Sequence, residues 1–112
     1  DILDYEGNNK LFGKPIGGDI KEKKITLPLI YSLSKVSDSE AVKIRKIIKN
    51  GKKKESVKEV IEFVRKNNGI NYASEVAKEY SHNAKKQLEI FPSLTSRIAL
   101  ESLVDFVLDR RN

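Results

Sequence analysis

Asp1-Ile2-Leu3-Asp4-Tyr5-Glu6-Gly7, then Gly13-Lys14-Pro15-Ile16-Gly17-Gly18-Asp19, then Lys24-Ile25-Thr26-Leu27-Pro28: these three runs open the chain and set the terms for the rest of it. They bring together Asp1, Asp4, Asp19, Lys14, Lys24 and four glycines, an inventory suited to holding a metal-bound diphosphate. Asp1 and Asp4 are three residues apart, so on a helix their carboxylates share a face and can meet one cation. Magnesium suits such a pair, because it takes carboxylate oxygens, keeps several waters and completes its shell with phosphate oxygens. Lys14 stands between Gly13 and Pro15, on a turn whose backbone lets a ligand approach while its ammonium offers a point charge. Lys24 adds a second ammonium, and Gly17-Gly18-Asp19 a permissive loop with a further carboxylate. Taken one at a time, each feature is ordinary: an acidic pair is commonly a solvated face and a Gly-Lys-Pro run commonly a turn. Their order and spacing together carry the reading.

Outward from these runs the periodicity is helical. Asp1 to Glu6 has the character of a helix end stopped by Gly7-Asn8-Asn9, followed by an irregular loop to about Lys21. Ile25, Leu29, Ile30 and Leu33 recur at helical spacing from Lys23 to about Lys35, with Pro28 either bending that helix or marking its first turn. Ser37-Asp38-Ser39-Glu40 has the form of a capping box, with Ala41, Ile44, Ile47 and Ile48 facing inward and Asn50-Gly51 ending the helix. Ser56 and Glu59 repeat the box ahead of Val57, Val60, Ile61 and Val64, and Asn67-Asn68-Gly69 closes that element. The longest helix is expected from about Asn71 to Phe91, with a stripe of Ala73, Val76, Ala77, Tyr80, Ala84, Leu88 and Phe91. Pro92 ends it, and a last helix from about Leu94 to Arg110 places Ile98, Ala99, Leu103, Phe106 and Val107 on one face. No stretch alternates with period two, so the fold class expected is all-α.

With these elements in place, DILDYEG, a short insert and GKPIGGDIKEKKITLPLIYSL resemble the part of the trans-polyprenyl diphosphate synthases that begins at their second aspartate-rich motif, written DDxxD. The match is strong over residues 1 to 36 and one of character beyond. The resemblance implies a helical part of the isoprenoid synthase bundle, with Asp1 and Asp4 as the second and last aspartates of that motif and Asp19 as a further acidic group at the metal. It implies that Lys14 and Lys24 contact the diphosphate of the allylic substrate. It also implies magnesium as cofactor, allylic diphosphate and isopentenyl diphosphate as substrates, and a homodimeric parent. One departure is Lys23, where many relatives carry glycine. The family's first aspartate-rich motif belongs before this point, so residues 1–112 are expected to be the C-terminal part of a polyprenyl synthetase domain, inactive alone and prone to self-association through uncovered apolar surface. The style of the block leans toward long-chain synthases that make quinone side chains, such as an octaprenyl synthase. Chemically, the hard step in such enzymes is ionisation of the allylic C–O bond, so groups that offset charge on the departing diphosphate favour the transition state over the bound substrate.

Composition bounds the alternatives. The chain has 112 residues, no cysteine and a net charge of +6, consistent with one domain in a reducing, cytoplasmic setting without disulfides or thiolate chemistry. No apolar run approaches the roughly 20 residues that a bilayer-spanning helix needs. Residues 1–36 carry six lysines against five acidic groups, whereas Lys43 to Lys66 holds ten Lys/Arg against three Glu. The Lys52-Lys53-Lys54 run therefore suits a solvated linker, or a surface for a polyanion or an anionic membrane. Aromatic residues do not interleave with it and no nucleic-acid motif is present, so no nucleic-acid partner is expected. The competing class is a non-catalytic basic helical module in which the glycine loop is structural. His82 is the single histidine and has neither a cysteine nor a carboxylate pair placed with it, so it is expected on a helix surface. Tyr31 and Tyr72 are expected as core or interface aromatics.

Overall fold

The computed structural model describes residues 1–6, 16–51 and 53–109, and these form helices and connections with no strand among them. They fall into two units, Asp1–Ala73 and Ser74–Asn112.

The first unit contains α1 (Leu3–Glu6), α2 (Gly18–Lys21), α3 (Leu27–Ser34), α4 (Asp38–Asn50), α5 (Lys54–Lys66) and the start of α6 (Gly69–Leu88). Its centre is α5, which packs against α2, α3 and α4. The cause lies in its spacing: Val57, Val60, Ile61 and Val64 are all buried, as expected, and Phe63 widens the apolar stripe. Leu29 and Leu33 of α3, Ala41, Ile44 and Ile48 of α4, Ile20 of α2, Tyr5 of α1 and Ile70 of α6 join it in the core. Full burial of a Leu or Val side chain stabilises by about 1.5–3 kcal/mol, and Leu29, Val60 and Val64 are wholly enclosed. Ile25 and Ile30 share the helical spacing but are about half exposed: Ile25 lies ahead of α3, and Ile30 is on that helix but outside the core face of Leu29 and Leu33.

Local signals explain the ends. Pro28 lies in the first turn of α3, where a missing N–H is harmless, and Ser32 returns its hydroxyl to Pro28 O at 2.7 Å. Ser37 caps α4 by accepting the Glu40 N–H at 3.3 Å. The second capping box does not form. The α5 helix starts three residues earlier, with Lys53 rather than Ser56 at its N-cap and no side-chain cap, and Ser56 instead packs where a Cβ on Gly51 would stand. The helix α3 also begins later than expected, since Lys23 takes a left-handed φ of 60° and Thr26 is extended. At Asn68, also left-handed at φ 59°, the chain leaves α5, and Gly69 opens α6 rather than merely closing its predecessor. A Cβ on Gly69 would overlap Pro28 O and the Ser32 hydroxyl, so glycine is what lets α6 start against α3. Tyr72 near that start stacks on Tyr31 with ring centroids 4.0 Å apart.

The second unit holds the rest of α6 and α7 (Thr95–Asp109). The helix α6 runs earlier than the Asn71 to Phe91 expected, with His82 exposed on it, and α7 lies within the predicted last helix. Lys85 of α6 pairs with Asp105 of α7, while Arg97 bonds Glu101 at 2.9 Å and the Phe91 carbonyl at 2.8 Å. No residue of α7 is buried. Ile98, Leu103, Phe106 and Val107, expected on an inner face, are each more than half exposed, as are Tyr80, Ile90, Phe91 and Leu94.

Candidate functional site

The loop expected up to Lys21 contains the single turn α2, framed by two left-handed residues. Gly17, at φ 85°, precedes it, and a Cβ there would strike Val57 of α5. Lys23 follows it. The Lys23 N–H donates to Ile20 O at 3.0 Å and the Lys24 N–H to Asp19 O at 2.8 Å, the paired bonds of a Schellman stop. Glycine fits the Lys23 position best for a plain reason, since a left-handed backbone crowds a Cβ. Its replacement here by lysine leaves the turn intact.

Asp4 fastens this turn to α1. Its carbonyl accepts the Gly17 N–H at 2.8 Å, and its Oδ2 accepts the Asp19 N–H at 3.1 Å. Asp4 is 5% exposed and Asp19 9%. Asp1 lies outside α1 on the surface, with its carbonyl accepting the Asp4 N–H at 3.2 Å. Four of the five candidate residues are thus joined in one hydrogen-bonded sequence, from Asp1 O to Asp4 N, from Asp4 Oδ2 to Asp19 N and from Asp19 O to Lys24 N. Lys14, the fifth, lies outside the described residues.

The Lys24 ammonium is exposed and pairs with Glu22 at 2.7 Å. That bond, followed by the Glu22 charge and the more distant Asp19, pushes its pKa up, so it remains a cation. The pair is solvated, and an exposed ion pair of this kind contributes little to stability. The Lys24 ammonium is therefore open to exchange for a stronger anion.

Three residues that the sequence did not mark support the arrangement. Tyr5 is fully buried, and its carbonyl accepts Arg65 Nη2 of α5 at 3.1 Å, tying α1 to the central helix. Burial pushes its phenol up to about 12; the Thr26 hydroxyl draws it back, and the Asp4 and Asp19 charges push it up again. The Tyr5 and Thr26 hydroxyls, though close enough to interact, make no hydrogen bond of full geometry. An aromatic residue between two acids was the only signal for Tyr5 in the sequence, and Arg65, sixty residues away, had none.

Carboxylate oxygens are the donors magnesium takes. Among the described residues no three acidic or histidine side chains gather about one point. The donors present are the carboxylates of Asp1, Asp4 and Asp19, of which Asp1 is exposed and the other two are buried.

The polyprenyl synthetase family model matches residues 1–64. The chain is 36% identical over 110 residues to octaprenyl diphosphate synthase of Haemophilus influenzae, covering 98% of this chain and 33% of that protein. It is 34% identical over 112 residues to a short chain isoprenyl diphosphate synthase of Methanothermobacter thermautotrophicus, covering all of this chain and 34% of the relative. In structure it is similar to a polyprenyl synthase from Caulobacter crescentus complexed with calcium and isoprenyl diphosphate, with a TM-score of 0.88 and 31% identity over the whole of this chain and 34% of that one. The chain spans about a third of the length of the relatives it matches.

The Tyr5 environment makes a prediction. Below pH 10 the phenol is protonated in both folded and unfolded chains; between pH 10 and about 12 only the unfolded chain ionises, so stability falls as pH rises. Two pKa units correspond to about 3 kcal/mol. Tyr5→Phe should lose less stability than the parent chain between pH 8 and pH 11.5 in urea unfolding. Equal losses would show that the phenol is not the group responsible.

Proposed function

The chain belongs to the polyprenyl synthetase family, and on that premise we propose that it supplies part of the diphosphate site of a prenyltransferase. The reaction is condensation of an allylic polyprenyl diphosphate with isopentenyl diphosphate to give a longer trans-polyprenyl diphosphate, destined for a quinone side chain. The observation that carries this is the hydrogen-bonded sequence from Asp1 through Asp4 and Asp19 to Lys24, within the matched segment. Such an arrangement links an exposed carboxylate ahead of α1 to an exposed ammonium at the end of the braced turn.

The residues divide the work by burial. Asp4, turned inward, positions the Gly17-Gly18-Asp19 turn rather than presenting both oxygens outward. Asp1 is exposed and is the carboxylate most open to a cation or its waters. Lys24 exchanges Glu22 for the diphosphate, and Lys14 supplies a second ammonium to the same group. As the allylic C–O bond breaks, the leaving diphosphate gains negative charge, and these ammonium groups hold it more tightly than they hold the bound substrate. Magnesium, when bound through Asp1, Asp4 and Asp19 or their waters, supplies further positive charge to the same phosphates. That the similar Caulobacter structure is complexed with calcium and with isoprenyl diphosphate supports this part of the proposal. The two relatives above are named for short-chain and octaprenyl products, so the octaprenyl product rests on the style of the GKPIGGDIKEKKITLP block.

A cytoplasmic location belongs to the same proposal and rests on a cysteine-free composition with no use for an oxidising compartment. No described helix is long and apolar enough to cross a membrane. A homodimeric parent and self-association of these residues are also part of it, supported by the exposed Ile98, Leu103, Phe106 and Val107 of α7.

Condensation measured in the native protein should fall about a hundredfold or more on Lys24→Ala or Lys14→Ala, the scale seen when one charge-stabilising donor is removed. Asp4→Ala should lower the rate as well. Full activity in all three variants would remove the diphosphate assignment. In light scattering the chain should show masses above the monomer that rise with concentration; a monomer mass throughout would contradict self-association.

A further inference from the structure

We propose that the corner between α4 and α5 is a docking surface for an anionic membrane. Helical spacing turns Ala41, Ile44 and Ile48 of α4 and Val57, Val60, Ile61 and Val64 of α5 into the core. What remains outside is basic: Lys46, Lys49, Lys53, Lys54 and Lys58 are all exposed. Gly51 holds these cations near one another. It is buried, and a Cβ there would meet the Ile47 carbonyl and Ser56, so the last turn of α4 and the first turn of α5 close tightly on each other. The lysine run is thus no slack linker; Lys53 is the N-cap of α5 and Lys54 its first residue, while Lys52 lies outside the described residues.

Among the described residues no ion pair uses these charges: the pairs are Lys24–Glu22, Arg65–Glu62, Lys78–Glu75, Lys85–Asp105 and Arg97–Glu101. Lys53 and Lys54 even stand at the positive end of a helix, where acidic residues are favoured. A charge arrangement that works against its own helix points to a partner outside the chain. Glu55 and Glu59 moderate the positive field on α5 without reversing it.

The chemistry favours lipid phosphates over nucleic acid. No aromatic residue stands between Ser37 and Glu62, so the surface offers nothing on which bases can stack. Val42 of α4 is 46% exposed beside Lys43 and Lys46, a mix of aliphatic and cationic groups suited to the headgroup boundary. The choice of a membrane also rests on the proposed function, because a polyprenyl product is insoluble in water and has to pass into a bilayer.

The test uses the full 112-residue chain without substrate, so its outcome is independent of the condensation assay. In co-sedimentation at 0.1 M salt the chain should bind vesicles of phosphatidylglycerol and phosphatidylcholine, but not vesicles of phosphatidylcholine alone, and a DNA duplex of matched phosphate concentration should bind more weakly. The triple variant Lys49→Gln, Lys53→Gln, Lys54→Gln should lose on the order of a hundredfold in affinity, at the usual contribution of each lysine near an anionic surface. A control with Lys35→Gln, Lys78→Gln and Lys86→Gln removes the same charge elsewhere and should lose far less. Equal binding to neutral vesicles, tighter binding to DNA, or equal losses in the two triple variants would each overturn the proposal.

Discussion

The arrangement of the amino-terminal segment depends on one bond, from the backbone N–H of Asp19 to a buried carboxylate oxygen of Asp4. A charged acceptor removed from water makes a strong hydrogen bond, and its loss would leave a buried carboxylate without that partner. Because Asp4 also takes the Gly17 N–H on its carbonyl, both ends of the glycine turn are fixed to α1. The Schellman stop then carries that constraint to Lys24. In the proposed function that bracing places the backbone of Lys24, so its ammonium needs less ordering when it meets a diphosphate.

Beneath the turn, α5 supplies the foundation. Val57 fills the space beside Gly17, while Arg65 holds the carbonyl of Tyr5, so one helix supports α2 and α1 together. The same helix turns basic residues outward, and sequence economy follows: one amphipathic element braces a candidate active site and carries a candidate membrane surface. The second unit stands apart in character. Its helices expose most of their apolar residues, and side chains of that kind are normally covered by something.

How much of this was legible in the sequence depended on whether the cause was local. Ser37 capped as read because its partner, Glu40, lies one turn away. Pro28 fell in a first turn for a reason internal to proline. The all-helical class followed from periodicity, and the family from the GKPIGGDIKEKKITLP block. Ser56 misled because its role is contact with Gly51, a tertiary matter that spacing does not record. Asp1 and Asp4 stand at helical spacing, yet α1 begins at Leu3 and includes only one of them, so their carboxylates came to differ in burial. Lys23 was legible only as a departure from the resembled family's glycine, and the left-handed backbone it adopts is what gives that departure a physical meaning. Tyr5 and Arg65 became visible only when residues far apart in sequence were brought together.

The most direct test of this account is amide hydrogen exchange on the chain and on its Asp4→Ala variant. If the Asp4 carboxylate holds the turn, the amides of Gly17, Asp19 and Lys24 are protected in the parent chain, and the variant loses protection at Asp19 and Lys24 while the α5 amides keep theirs. Unchanged protection at Asp19 and Lys24 in the variant would contradict it.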